Sequence, residues 1–258
     1  IQMDMILGKP EENFAHAEEL VRQTVAKEQP DTVVLPETWN TGFFPKENLR
    51  KLSDRNGERT KAVFTSLAKE LNVNIVAGSV ANCRGGDVTN TCYVFDRNGQ
   101  CVAEYDKTHA FTPMGEDDYF RKGDHLCRFT LDGINCAVII CYVLRFPELT
   151  RSLALPGLDI LFIVAQWPSV RLAHLQLLSM ARAVENQMFT VCCNSCGKAG
   201  DTVYAGGSQI IDPWGSILAR AEASEEIISA ELDLSIISGI RSSINVFRDR
   251  RPELYQIS

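Results

Sequence analysis

Residues 135–142, Asn-Cys-Ala-Val-Ile-Ile-Cys-Tyr, place five apolar residues in a row between an asparagine and a second cysteine. A short apolar run of this kind is typical of a strand that is buried on both faces, as in a parallel sheet or a sandwich. Residues 158–165, Leu-Asp-Ile-Leu-Phe-Ile-Val-Ala, have the same character. Both runs are much shorter than the roughly 20 residues of a membrane-spanning helix, so they predict buried strands.

Helix-like and strand-like stretches alternate along the whole chain, which predicts an α/β fold built in layers. We expect helices at 11–28, at 58–71, from just after Cys141 with Pro147 in the first turn, and from an N-cap at Ser169 through Met188. We expect strands at 32–35, 73–80, 91–96, 101–105, 126–131, 135–140, 159–165, 189–194, 207–212, 216–220 and 226–232. A hairpin turn is predicted at 96–99, where Asn98-Gly99 would supply positive φ. No linker divides the chain, so we expect one domain over 1–258 with a C-terminal arm from about residue 239.

The composition excludes several classes of partner. The chain has 258 residues, 45% of them apolar and 23% charged, with a net charge of −7. An acidic chain without clustered Lys and Arg argues against nucleic acid or an anionic membrane as the main partner. The nine cysteines lie mostly in apolar strand-like stretches, which favours reduced thiols and a cytoplasmic protein over a disulfide framework. The chain opens at Ile1-Gln2, and we expect a few residues of a first strand to precede it.

Three chemically active side chains each follow a predicted strand. Glu37 follows Leu35-Pro36, Lys107 follows the strand at 101–105, and Cys141 ends the strand at 135–140. In α/β folds, ligands bind at the carboxyl ends of strands. A thiol, a carboxylate and an ammonium together can transfer an acyl group from an amide. Taken singly, the three residues are equally typical of a structural cysteine, a solvated carboxylate and a loop lysine.

The segments around these residues resemble the nitrilase, or carbon–nitrogen hydrolase, superfamily along essentially the whole chain. The matching segments are Leu-Pro-Glu-Thr (35–38), Tyr-Asp-Lys-Thr-His (105–109), Met-Gly-Glu (114–116), Cys-Tyr-x-Leu-Arg-Phe-Pro-Glu-Leu (141–149), Ala-Arg-Ala-Val-Glu-Asn-Gln (181–187) and Gly-Gly-Ser-x-Ile-Ile-Asp-Pro-Trp-Gly (206–215). The resemblance implies a four-layer αββα sandwich, a small-molecule amide substrate, and assembly into a homodimer or a higher homo-oligomer.

The resemblance also implies residue roles. Cys141 would be the nucleophile, Glu37 the general base, and Lys107 with the backbone N–H of Tyr142 the oxyanion site. Glu116 would orient the substrate amide and Lys107. We expect neither a metal nor a cofactor, because Cys193 and Cys196 form a Cys-x-x-Cys without further ligands. A base role for His109 is the less favoured alternative.

One position departs from the family pattern. Val143 stands where family members commonly carry Asp, two residues after the nucleophile. We interpret that Asp as a support for the turn at Cys141, through hydrogen bonds to the backbone or to Arg145. The departure motivates a non-enzymatic alternative, in which the chain is a catalytically impaired interaction protein. A low-pKa thiolate at Cys141, which iodoacetamide would alkylate rapidly, would instead favour the enzyme.

The segment at 165–174, Ala-Gln-Trp-Pro-Ser-Val-Arg-Leu-Ala-His, resembles the omega-amidase branch, which hydrolyses 2-oxoglutaramate and 2-oxosuccinamate. Such substrates carry a carboxylate far from the scissile amide. We predict that Arg171 binds this carboxylate, since a guanidinium can do so with two hydrogen bonds. Gln166, Trp167 and Phe43 are expected to contact the substrate, and Trp39 is a further candidate wall. The alternative within enzymes is an N-carbamoyl amino acid amidohydrolase.

Overall fold

The computed structural model describes residues 1–43 and 45–255. The helices are α1 (Pro10–Glu28), α2 (Leu49–Leu52), α3 (Glu58–Leu71), α4 (Pro147–Ala154), α5 (Leu172–Asn186) and α6 (Ile236–Ser243). The strands of the first half are β1 (Thr32–Val34), β2 (Asp54–Arg55), β3 (Asn74–Arg84), β4 (Asp87–Phe95) and β5 (Cys101–Asp106). Those of the second half are β6 (Arg128–Leu131), β7 (Ile134–Ile140), β8 (Ile160–Ala165), β9 (Phe189–Asn194), β10 (Lys198–Ala199), β11 (Thr202–Val203), β12 (Gln209–Ile211) and β13 (Ile217–Arg220).

Two sheets carry almost all of these strands. The first has the order β1-β3-β4-β5, with β2 also paired to β3, and the second has the order β13-β12-β9-β8-β7-β6. The strands β1 and β2 are each parallel to β3, and β7, β8 and β9 are parallel to one another, while the remaining neighbours in these two sheets are antiparallel. Because β4 is antiparallel to both β3 and β5, β5 runs in the same direction as β3. The strands β1, β3 and β5 therefore end at the same edge of the first sheet.

The side-chain alternation along β1 and β3 separates two cores. Val34 and Val76 lie in a cluster between the two sheets, together with most of β7 and β8. Their neighbours Val33 and Ile75 point the other way, into a cluster that includes Phe14 of α1 and others from α3. Helices α4 and α5 cover the second sheet through residues such as Leu153 and Leu175. The layers therefore run helix, sheet, sheet, helix, which confirms the predicted αββα sandwich.

The predicted helices agree with the structure except at two starts. The residues after Cys141 form a 3-10 turn, Cys141–Arg145, and the helix α4 begins only at Pro147, which occupies its first turn as expected. The N-cap assignment of Ser169 is wrong, because Ser169–Arg171 is a separate 3-10 turn and α5 begins at Leu172. Pro147 lies between the first 3-10 turn and α4, whereas Pro168 precedes the second 3-10 turn, which runs directly into α5.

Two strand-level predictions also differ. Residues 226–232 form no strand, and their one β-type pairing is an isolated bridge between Glu226 and Gln2. The apolar character of this segment is explained by packing, since Leu232 packs against the inter-sheet core. The hairpin turn at 96–99 is present, but only Gly99 has positive φ. Asp96 supports the turn by accepting hydrogen bonds from the backbone N–H groups of Asn98 and Gln100.

The last helix lies where the sequence predicted the start of a C-terminal arm. Helix α6 spans position 239, where the sequence suggested the start of an arm, and Ile237 and Ile240 of this helix are buried. Among the residues described here, none of the helices has the length and apolar content needed to cross a membrane.

A bulge in β3 shapes the backbone next to Glu37. The register between β3 and β4 shifts between Val76 and Ser79, and Gly78 adopts a positive φ of 62° there. A Cβ at Gly78 would collide with the carbonyl oxygen of Pro36. Ser79 in turn donates its backbone N–H to Pro36 O at 3.0 Å and accepts the N–H of Thr38 on Oγ at 3.0 Å. The bulge thus holds the backbone of both residues that flank Glu37 in place, an arrangement that we call the Gly78 clamp.

The clamp predicts that Gly78→Ala destabilises the protein strongly. The new methyl group meets backbone, and the left-handed conformation adds about 1–2 kcal/mol for an L-residue. Gly133→Ala is the matched control, because Gly133 also has positive φ but its Cβ would meet open space. In urea denaturation, we expect Gly78→Ala to lose at least about 2 kcal/mol more than Gly133→Ala. Equal losses would contradict the clamp.

Candidate active site

The carboxyl ends of four strands meet at one place between the two sheets. Glu37 follows β1 through Leu35-Pro36, Lys107 follows β5 directly, and Cys141 follows β7. Gln166 follows β8, and Glu37 donates its backbone N–H to the carbonyl of Ala165, the last residue of β8, at 3.2 Å. The structure therefore brings the three predicted catalytic side chains together across the interface of the sheets.

The Glu37 carboxylate is fully buried and accepts three hydrogen bonds. Its Oε1 accepts from Lys107 Nζ at 2.8 Å and from Asn90 Nδ2 at 2.8 Å. Its Oε2 accepts from the backbone N–H of Gln166 at 2.9 Å. The carboxylate is thereby fixed in position, and Oε2 is the oxygen with fewer donors.

Lys107 forms the cationic centre of the site. Besides Glu37, its Nζ donates to both carboxylate oxygens of Glu116, at 2.8 and 2.9 Å. Burial disfavours the ammonium, but the negative charges of Glu116 and Glu37 outweigh it and raise the pKa of Lys107 above its ordinary value. Glu116 itself is held by the backbone N–H of Phe111, which donates to its Oε2 at 2.5 Å. Lys107 is therefore a charged donor between two carboxylates.

Cys141 occupies a strained turn directly after its strand. Its φ is 46°, an unusual value for a residue with a Cβ, and its side chain is only 8% exposed. Burial and the nearby Glu37 carboxylate raise the pKa of the thiol well above its ordinary value, against the effects of Lys107 and of a hydrogen bond from the Gln166 N–H. The thiol therefore faces a carboxylate as well as the ammonium, and its rapid alkylation by iodoacetamide remains a test of the enzyme hypothesis.

The thiol opens into a pocket with aromatic walls and cationic groups. The pocket, together with the solvent space at its mouth, holds about 360 Å³ of empty space. Lys107, Cys141 and Gln166 are among its lining residues. The remaining lining residues are Phe43, Phe111, Met114, Tyr142, Arg145, Trp167, Pro168, Arg171 and Tyr204.

Five of the six predicted substrate contacts line this pocket, while Glu116 lies behind Lys107 and does not line it. Gln166 also has partners within the protein. Its Oε1 accepts from Thr38 Oγ1 at 2.8 Å and from the backbone N–H of Phe43 at 2.6 Å. Gln166 thus connects β8 to the loop after β1. Trp167 is held by its indole N–H, which donates to Arg171 O at 2.9 Å, and by its backbone N–H, which donates to Asn194 Oδ1 at 2.7 Å. Trp39 is a core residue rather than a wall, fully buried against Phe14 and Phe64.

Two guanidinium groups reach the pocket. Arg171 lies over the ring of Phe111 at 5.1 Å, and Arg145 lies over the ring of Trp167 at 4.8 Å. Arg145 also contacts Nδ1 of His174 at 3.2 Å. Within the described part of the chain, neither arginine forms an ion pair with a carboxylate. Both positive charges are therefore available to an anionic ligand.

Val143 lies in the apolar core between the sheets, where its side chain is fully buried. Its carbonyl oxygen accepts the backbone N–H of Phe146 at 3.0 Å, which closes the 3-10 turn. The turn at Cys141 therefore forms without the carboxylate that the family pattern carries at this position.

The remaining sequence candidates lie apart from the chemistry. His109 stacks on Phe146 with ring centroids 3.9 Å apart, and its Nδ1 contacts Thr108 Oγ1. Cys193 and Cys196 are buried free thiols, and Cys193 Sγ contacts the carbonyl of Ile1 at 3.1 Å. All nine cysteines fall within the described residues and all are free. Over residues 1–43 and 45–255, there is no group of three His, Cys, Asp or Glu side chains placed to hold a metal ion.

Sequence reasoning missed three residues of the site. Asn90 lies in the middle of β4, and the available signal was that an asparagine is unusual inside a strand. Arg145 belongs to the matched segment at 141–149 but was considered only as a neighbour of residue 143. Tyr204 lines the pocket beside Cys141, and burial together with the charges of Glu37 and Cys141 raises its pKa. No local pattern pointed to Tyr204.

Comparison with known proteins gives one consistent result. The sequence profile of the carbon-nitrogen hydrolase family matches residues 1–242. A 2-oxoglutaramate amidase of Bacillus subtilis is 43% identical over 99% of this chain and 97% of its own length, and the omega-amidase NIT2 of Danio rerio is 31% identical over 96% and 92%. A superfamily protein of Xanthomonas campestris, whose structure has an arsenic adduct in the active site, superposes with a TM-score of 0.90 at 27% identity over 97% of this chain and 95% of its own.

The buried charges predict a large loss of stability in Lys107→Met, a substitution that keeps most of the side-chain stem and removes the ammonium. Glu37 and Glu116 would then be buried without their shared cation, so we expect the free energy of unfolding in urea to fall by about 3–5 kcal/mol. Lys9→Met is the matched control, because Lys9 is 59% exposed and pairs with Glu12 at the surface, and its stability should stay unchanged within error. A Lys107→Met protein as stable as wild type would contradict an ammonium held between two carboxylates.

Proposed function

The chain belongs to the carbon–nitrogen hydrolase family, a family of hydrolases that act on C–N bonds other than peptide bonds, and on that premise we propose an omega-amidase that cleaves small carboxylate-bearing amides such as 2-oxoglutaramate. The observation that carries the proposal is the position of the Cys141 thiol. It lies beside Glu37 and Lys107 at one end of a pocket that also presents Arg145 and Arg171.

In the proposed first step, Glu37 takes the thiol proton on Oε2 while the sulfur attacks the carbonyl carbon of the amide. The negative charge that develops on the carbonyl oxygen is stabilised by Lys107 Nζ and by the backbone N–H of Tyr142. When the C–N bond breaks, Glu37 returns the proton to the leaving nitrogen, so that ammonia departs. The product of this half-reaction is a thioester on Cys141.

In the second step, a water molecule attacks the thioester carbonyl carbon and Glu37 takes one of its protons. The C–S bond breaks, the carboxylic acid leaves, and the sulfur recovers its proton from Glu37. The raised pKa of the Cys141 thiol supports this use of the carboxylate, because a protonated thiol needs an adjacent base in order to attack. Glu116 would keep Lys107 pointing at the oxyanion rather than at Glu37 alone.

Charge and shape support the substrate class. A substrate such as 2-oxoglutaramate has a carboxylate at the end opposite its amide, and the two guanidinium groups line the same pocket as the Cys141 thiol. The walls contributed by Phe43, Phe111 and Trp167 suit a short carbon chain between the two ends. The relatives named as 2-oxoglutaramate amidase and omega-amidase agree with this choice.

The two alternatives are less favoured. An N-carbamoyl amidohydrolase would use the same thiol chemistry, but the relatives with the names quoted above are amidases. An interaction protein without catalysis was suggested by Val143. The retained contacts among Glu37, Lys107 and Glu116, together with the turn at Cys141, argue for an active enzyme.

We also propose a cytoplasmic homodimer. Nine free thiols suit a reducing compartment. Apolar side chains on and around α5 are exposed to solvent, among them Leu177 at 66% and Trp214 at 56%. Gly215 packs against Val184 of α5, so the loop of Trp214 and the helix form one surface suited to a second copy. Sedimentation velocity of the full chain tests the dimer, and a monomer at micromolar concentration would contradict it.

The function is tested by an ammonia-release screen over 2-oxoglutaramate, simple amides, N-carbamoyl amino acids and nitriles. We expect 2-oxoglutaramate to give the highest kcat/KM, and Cys141→Ala to abolish release because no other thiol lines the pocket in the described residues. Cys101→Ala is the matched control and should keep full activity, since Cys101 is exposed and begins β5, at the end of the strand opposite Lys107. Release of carbon dioxide with ammonia from carbamoyl amino acids would instead support the alternative enzyme.

The carboxylate assignment predicts a substrate-dependent effect of Arg171→Ala. For 2-oxoglutaramate, we expect kcat/KM to fall by about 10- to 100-fold, since hydrogen bonds to charged groups contribute about 1.5–3 kcal/mol. The same variant should hydrolyse butanamide, which lacks the carboxylate, within about threefold of wild type. Normal turnover of 2-oxoglutaramate by Arg171→Ala would show that Arg171 does not bind the carboxylate.

A further inference from the structure

The two buried carboxylates of the site share one ammonium, which leaves them with a net negative charge when both are ionised. Glu37 and Glu116 are each fully buried, and Lys107 Nζ lies at 2.8 Å from an oxygen of both. Two like charges this close, away from water, need further donors to stay ionised and in place. The backbone N–H groups of Gln166 and Phe111 each supply one such donor.

A side-chain amide on β4 supplies another donor, and it reaches both carboxylates. Asn90 Nδ2 donates to Glu37 Oε1 at 2.8 Å and approaches Glu116 Oε1 at 3.4 Å. The carbonyl oxygen of Asn90 accepts the backbone N–H of Lys107 at 2.9 Å. Asn90 is itself 1% exposed, and its strand is flanked by β3 and β5. One residue on a rigid strand therefore contacts all three charged members of the site.

The orientation of this amide follows from the charges. Turning it over would direct Oδ1 at two carboxylate oxygens, which is repulsive, so Nδ2 must face them. As placed, Oδ1 is buried and has no hydrogen-bond partner among the described residues. Buried polar atoms are rarely left in this state. Since Oδ1 is left without a partner, the orientation of the Asn90 side chain is set by the hydrogen bonds of Nδ2 to the carboxylates.

We infer that Asn90 is a positioning residue that determines which oxygen of Glu37 accepts the thiol proton. With Lys107 and Asn90 both on Oε1, that oxygen is occupied, whereas Oε2 receives only the N–H of Gln166. Glu37 and the backbone of Gln166 both act on the Cys141 thiol, and Oε2 is the Glu37 oxygen that has a single donor, so we assign the thiol proton to Oε2. The titratable groups around Glu37 are Lys107, Cys141, Glu116 and Tyr204. This inference rests on the proposed function.

The test compares Asn90→Ala with Asn82→Ala. Asn82 is a buried asparagine on β3 whose side chain contacts Gly57 and Thr91 but neither carboxylate, so it reports the cost of deleting such a residue. Two readouts are needed: steady-state kcat and KM for 2-oxoglutaramate, and the rate of Cys141 alkylation by iodoacetamide as a function of pH, with the modified peptide identified by mass spectrometry. Thermal unfolding of each variant checks that it folds.

For Asn90→Ala, we expect kcat to fall about 100-fold with KM within about threefold, because the base is misplaced while the substrate contacts remain. The acid limb of the alkylation profile should move to higher pH by about one unit, since a hydrogen bond to the charged carboxylate is lost. Asn90→Asp, which keeps the size but adds a third carboxylate, should move the limb in the same direction and further. Asn82→Ala should lower the unfolding temperature but leave kcat and the limb close to wild type.

Two results would overturn the inference. One is an acid limb and a kcat in Asn90→Ala that match wild type. The other is an equal change in Asn82→Ala, which would make the effect one of general stability. If wild type releases no ammonia from any amide, the proposed function fails. The alkylation profiles would still test Asn90, because they require no amide substrate.

Discussion

The ammonium of Lys107, held between the carboxylates of Glu37 and Glu116, is the interaction on which the rest of the site depends. Three charges removed from water cost a large desolvation free energy, which is offset only when their hydrogen bonds are complete. The chain meets this condition with donors from three parts of the fold, namely Asn90 on β4, the backbone of Gln166 after β8, and the backbone of Phe111 in the loop after β5. The cluster is consequently rigid, and it presents an ammonium and a carboxylate oxygen to the same thiol.

The sandwich explains how these groups can meet. Strands β1 and β5 of one sheet and β7 and β8 of the other end at the same place, so four short connections supply the whole catalytic end of the pocket. Two local distortions refine the arrangement. The bulge at Gly78 holds the backbone on both sides of Glu37, and the positive φ of Cys141 turns its sulfur from the strand toward the pocket. Strain of this kind is common where a side chain must be presented to a ligand.

Most of the fold could be predicted from the sequence because it depends on local pattern, whereas the roles expected for Glu37, Lys107 and Cys141 came from the family resemblance of the segments around them. Apolar runs indicated β7 and β8, and Glu37, Lys107 and Cys141 each follow a strand.

The errors have physical causes. The helix start at Ser169 failed because Pro168 is followed by a 3-10 turn that the apolar pattern does not distinguish from a helix. The strand at 226–232 failed because its apolar residues pack on the core without pairing. Tyr204 and Asn90 reach the site only through sheet stacking and pairing, which a single sequence does not display. The raised pKa of the Cys141 thiol depends on burial beside Glu37, which is likewise a tertiary property.

In the proposed reaction, Cys141 carries the acyl group of the substrate between the two half-reactions. The most direct measurement is mass spectrometry of the full chain, quenched in acid during turnover of 2-oxoglutaramate. The account predicts a transient adduct with the mass of the substrate minus ammonia, located on the peptide that contains Cys141 and lost as the free acid accumulates. Ammonia release without any adduct on that peptide, or with an adduct on another residue, would contradict it.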